Sequence, residues 1–171
     1  MRGRDWIAVG AIVWCCAFAA LHVFWALGGS AGLASSAGAE LAARRPTAFV
    51  VLGLWGVAAL LLAAAVVVGV AVNAQLPTRL GRILGWLIGA GGLVMLARGV
   101  MVEILLITDA GGVRTAVGPE QTHWSLVLWN PWFVVGGLAF IWSGRSVMRR
   151  WPSVRSARLV KPSSQGRSNL S

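Results

Sequence analysis

Four long apolar runs, at 6–28, 48–72, 80–107 and 124–143, alternate with polar connections along the chain. Each can supply the roughly 20 helical residues needed to cross a hydrocarbon layer about 30 Å thick. Lipid offers no partner to an unpaired backbone N–H or C=O, so such runs must be helical. The pattern predicts an all-α, four-transmembrane-helix bundle over 1–143. A serine- and arginine-rich segment at 144–171 has no apolar period and reads as a basic, disordered tail.

Composition strengthens this reading. Of 171 residues, 57% are hydrophobic and 12% charged, about half the roughly 25% that a soluble domain carries. Much of the surface must therefore face something other than water. The net charge of +10 does not point to nucleic acid, because the cations flank the apolar runs or lie in the tail. Fourteen arginines against one lysine, with abundant alanine and glycine, suit a GC-rich bacterial genome. The first run is too long for the roughly 7–15-residue core of a signal peptide. Its adjacent Cys15 and Cys16 point about 100° apart on a helix, which suits packing better than redox chemistry.

The arginines also assign direction. The N-terminus (Arg2, Arg4), the second connection (Arg79, Arg82) and seven residues from Arg145 to Arg167 hold 11 cations. The first and third connections hold only Arg44, Arg45 and Arg114. Basic loops stay inside, so both termini are expected in the cytoplasm of a bacterium, with a multi-pass chain in its inner (plasma) membrane. The connections at 29–47 and 108–123 then lie outside. So strong a bias disfavours an antiparallel dimer.

A few residues are too polar for their place. In the third run Gly85, Gly89, Gly92, Leu96, Gly99 and Glu103 recur at steps of three and four, a stripe that lets a neighbouring helix approach closely. Arg98 lies about 140° around from Glu103 and cannot easily pair with it within the helix. It either turns into the bundle or snorkels outward. In the fourth run Pro131 should kink the helix, or start it with Asn130 as its cap. His22, Glu103 and Asn130 all fall within the outer ~6–9 Å of their helices, at one level. Ionisable groups at such depth are costly and functional by default. His22, Trp25, Arg98, Glu103, Trp129, Asn130 and Trp132 are thus the candidate ligand-binding residues, with His22 expected to meet Glu103 and Arg98 held in reserve. No ligand spacing suggests a metal site, and no motif suggests a cofactor.

The stretch LHVFWALGG at 21–29, with NPWFVVGGLAF at 130–140, resembles a family of small bacterial four-helix membrane proteins catalogued as a domain of unknown function. That family carries an H-x-x-W-A-L-G-G signature in its first helix, matched here by His22, Trp25, Ala26, Leu27, Gly28 and Gly29. The resemblance implies four spans and no assigned activity. A fainter likeness is to the sterol-isomerase-like four-helix family, whose residue spacing differs. Three functions compete. One is a non-enzymatic protein binding a small amphipathic ligand, lipid or partner helix in an outer-leaflet pocket. Another is a lipid-modifying, isomerase-like enzyme using His22 and Glu103 for proton transfer. The third is a transporter subunit, which would require a homo-oligomer. Membrane lipids are the expected partners, and nucleic acid is not.

Overall fold

The computed structural model describes residues 5–150. Arg2, Arg4 and the tail from residue 151 lie outside them. Among the described residues, four helices are long and apolar enough to cross a membrane: Trp6–Ala26, Phe49–Asn73, Thr78–Thr108 and Pro119–Arg150. The first belongs to α1 (Asp5–Ala26). The second begins as a π-helical stretch, Phe49–Gly56, and continues as α4 (Val57–Asn73). The third is α5 (Thr78–Thr108). The fourth runs through α7 (Pro119–Trp124), a π-helical turn Ser125–Trp129 and α8 (Asn130–Arg150). Short helices α2 (Leu33–Ala37), α3 (Ala39–Arg44) and α6 (Val113–Val117) fold the two longer connections over one end of the bundle, here termed the loop end.

Two differences from the sequence expectation concern the fourth helix. Helical structure continues through Arg150, so 144–150 belong to the bundle and not to the tail. The apolar period ends near Ser143, but backbone hydrogen bonding does not need it, and Val147 is fully buried. Pro131 neither starts nor breaks the helix. Proline has no N–H and its ring crowds the carbonyl four residues back. The wider π turn immediately before it accommodates both defects, and Asn130 keeps helical angles (φ −69°, ψ −46°). Asn130 is therefore not a cap, and its side chain is available for other work.

The helices pack as two pairs. The expected glycine stripe holds α5 against α8, and glycines on α8 answer it. A Cβ on Gly92 would stand 2.7 Å from the Gly137 carbonyl oxygen, and one on Gly137 would stand 2.8 Å from that of Gly92. Gly144 against Gly85 repeats the arrangement at 2.6 Å. Backbone thus meets backbone, where a side chain of any size would push the helices apart. The other pair is α1 with α4, and α1 also packs on α8. The seam between α4 and α5 is much thinner. Cys15 is buried and Cys16 exposed, so the two thiols face apart.

Arginines close three helix ends. The last carbonyls of a helix lack intrahelical donors and carry the negative end of its dipole. Arg45 reaches back from the first connection and donates to the Trp25 carbonyl (2.9 Å) and to that of Gly29. Arg114 donates through Nε to Leu106 (2.5 Å) and through Nη2 to Ile107 (2.7 Å). At the opposite end Arg150 donates to the Val72 carbonyl.

Candidate functional site

One face of α1 supplies the site's aromatic wall. Trp14, Phe18, His22 and Trp25 recur at steps of four and three, so they stack up one side of the helix. Ring centroids lie 5.3 Å apart for Trp14 and Phe18, 4.5 Å for Phe18 and His22, and 5.1 Å for His22 and Trp25. Trp14 also stacks on Trp132 at 5.5 Å, and its Nε1 donates to the Trp132 carbonyl at 3.0 Å. That places Trp132 in the interhelical stack, away from the cavity described below.

The LHVFWALGG stretch ends α1 and ties down the loop above it. Gly28 has φ +109°, which an L side chain rarely adopts, and the chain turns there. Trp25 is 1% exposed and donates through Nε1 to the Ala31 carbonyl at 2.8 Å. His22 is buried, and its Nδ1 lies 2.8 Å from the Phe18 carbonyl oxygen. A carbonyl only accepts, so Nδ1 carries the proton and a neutral ring keeps its lone pair on Nε2.

Arg98 is exposed as a residue, but its guanidinium turns toward α8. Its guanidinium carbon stands 4.0 Å over the Phe133 ring, and Nη1 donates to Asn130 Oδ1 at 3.4 Å. Asn130 is 1% exposed and donates through Nδ2 to Glu103 Oε2 at 2.9 Å. One amide therefore joins two opposite charges that α5 itself holds too far around to meet. No direct hydrogen bond or ion pair joins His22 to Glu103 among the described residues; the partner that Glu103 has is Asn130. Arg98, held in reserve from sequence, is linked to Glu103 through Asn130, because α8 packs closely on α5.

His22 and Arg98 share a cavity of about 350 Å³. Trp14, Phe18, Leu60, Leu61, Ala64, Met95, Trp129 and Phe133 form most of its apolar wall, with Ser36 and Ser125 at its rim. It lies at the thin α4–α5 seam, and Leu60 is 69% exposed there, on the bundle's outer surface. Of the candidates named from sequence, His22, Arg98 and Trp129 line this cavity. Asn130 and Glu103 stand behind Arg98. Trp25 and Trp129 instead border a second cavity at the loop end, about 610 Å³, with Glu120 and Trp124. Trp129 is the shared partition, and its Nε1 is buried without an acceptor among the described residues.

Sequence reasoning missed Trp14, Phe18 and Phe133 as walls. The step of four from Trp14 through Phe18 to His22 was the available signal.

Four helices of spanning length around a laterally placed cavity, with a polar cluster that includes the buried His22 and Asn130, suit a helical protein of multi-pass membrane type. Residues 15–140 match the family described as "Protein of unknown function (DUF3995)", and the chain belongs to that family. No curated protein and no solved structure matches the chain.

Proposed function

We propose that this protein binds a small amphipathic ligand from the lipid phase in the cavity between α4 and α5. The chain sits in a bacterial plasma membrane with both termini cytoplasmic and the loop end outside. Arg98 carries the functional reading. An arginine near the middle of a spanning helix costs at least about 2.5–3.5 kcal/mol, yet this one is turned toward a largely apolar cavity and, among the described residues, makes a single long side-chain hydrogen bond. A ligand head settling on Arg98 and His22, with its tail along Leu61 and Ala64 and out past Leu60, offsets that cost. The isomerase reading loses support, because Glu103 is not on the cavity wall.

Orientation is supported by the arginines. Arg44 pairs with Glu40 at 3.1 Å, and Arg45 and Arg114 cap helix ends, so the loop end presents little net basic charge. Arg79, Arg82, Arg145 and Arg149 sit at the opposite end.

Ala64→Trp tests the site. Native mass spectrometry of protein purified from membranes is expected to show an amphiphile adduct that this substitution, which fills the cavity, removes without lowering the melting temperature. An adduct that persists in Ala64→Trp, or no adduct on the wild-type protein, overturns the reading.

A further inference from the structure

We infer that the head group this cavity accepts is a carboxylic acid taken up together with its proton, so that the ligand is a long-chain carboxylic acid. The inference rests on the amphiphile-binding reading and specifies its chemistry.

Three observations converge on the head group. Arg98 has five N–H donors, and among the described residues the one side-chain bond it makes is the 3.4 Å contact to Asn130 Oδ1. The head must therefore be rich in acceptor oxygens. His22 directs Nδ1–H at the Phe18 carbonyl, which leaves Nε2 as an acceptor that calls for a donor. Trp129 Nε1, Ser36 and Ser125 also line the cavity, but among the described residues none of them donates to Nε2, so the position is open to a donor brought by the ligand. Finally, Arg98 is already balanced by Glu103 through Asn130. A ligand arriving as a bare anion would leave an excess negative charge in a medium of low dielectric, where unpaired charge is expensive.

A protonated carboxyl satisfies all three. Its carbonyl oxygen accepts from Arg98 while its O–H points at Nε2. The acid O–H bond then breaks and an Nε2–H bond forms, giving a carboxylate on the guanidinium beside an imidazolium. The proton is the only atom that moves, and no other reactant takes part. With Arg98 and imidazolium positive and Glu103 and the ligand negative, the four charges sum to zero. A primary alcohol offers the donor but one weak acceptor, and an ester offers acceptors without a donor. Charge-assisted contact, one oxygen to Arg98 and the other to His22, makes the acid the strongest of the three.

The test uses the full-length protein in detergent and three ligands of one chain length: hexadecanoic acid, 1-hexadecanol and methyl hexadecanoate. The acid is expected to bind at least about ten-fold more tightly than the ester, a difference of about 1.4 kcal/mol, with the alcohol between them. Arg98→Gln and His22→Phe should each bring the acid down to the ester while leaving ester binding in place, which also shows that the variants are folded. Equal binding of all three ligands to the wild-type protein overturns the acid assignment and leaves the lipid cavity standing. Binding of none of them overturns the cavity reading itself. Should either variant fail to fold, the wild-type ranking alone still decides. An acid preference that survives Arg98→Gln removes Arg98 from the site.

Discussion

The Asn130 amide, on α8, donates to the Glu103 carboxylate, on α5, at 2.9 Å while its own oxygen receives the Arg98 guanidinium at 3.4 Å. Two charged residues five positions apart on one helix are thus reconciled by a neutral residue on another. The structural effect of that bridge can be separated from any effect on ligand.

Removing the bridge should cost stability. Asn130→Ala leaves Glu103 without its donor and Arg98 without its acceptor, a loss of about 1–3 kcal/mol for part-buried hydrogen bonds to charged groups. The melting temperature in detergent is expected to fall, and Asn130→Leu should fall similarly despite its added apolar bulk. An unchanged melting curve for both would mean that water replaces the amide without loss.

The helix interface makes a sharper prediction. Alanine at Gly92 would place its Cβ 2.7 Å from both the Gly137 oxygen and the Ile141 nitrogen, atoms that cannot rotate away. Gly92→Ala should destabilise by about 1–3 kcal/mol, and Gly92→Leu should prevent accumulation. The neighbouring Gly91 meets nothing within 4 Å, so Gly91→Ala should be neutral or slightly stabilising. Similar behaviour at the two positions would show that the close approach of α5 and α8 is wrong.

At the loop end the cap on α1 can be removed by Arg45→Ala. The Trp25 carbonyl in the last turn of α1 and the Gly29 carbonyl just beyond it lose a charged donor, costing about 1–2 kcal/mol. Limited proteolysis should reveal faster cleavage between residues 27 and 47, with the rest of the bundle intact. Arg44, whose pair with Glu40 is exposed, serves as the control and should show little change.

Topology is open to direct measurement. Reporters fused after Ser171 or near Gln75 should read cytoplasmic, and those near Ala39 or Gly118 external. A C-terminal fusion reading external would invert the leaflet assigned to the cavity.

Much of this was legible in the sequence. The four helices follow from run length, and the meeting of α5 with α8 follows from glycine at steps of three and four. The common level of Glu103 and Asn130 was also accessible, because helical rise is uniform. The pairing within that level was not. Which side chain faces Glu103 depends on the register between α5 and α8, set to a fraction of a turn by the Gly92–Gly137 and Gly85–Gly144 contacts. The π turn before Pro131 was hidden for a related reason. A missing N–H can be met by a kink, a break or a widened turn, and the neighbouring helices choose among them. Arg45 and Arg114 counted only as loop charges, since their capping partners appear once the connections fold back.

The interlocked glycines also set where this molecule can open. Parting α5 from α8 would pull backbone away from backbone along most of their shared length, whereas α4 rests on α5 across a narrow strip. The bundle is mechanically a stiff jaw and a compliant one, with Arg98 mounted on the stiff side. A residue such as Leu60 on the compliant side can therefore alter how fast a guest enters and leaves while the equilibrium held by the stiff side stays the same.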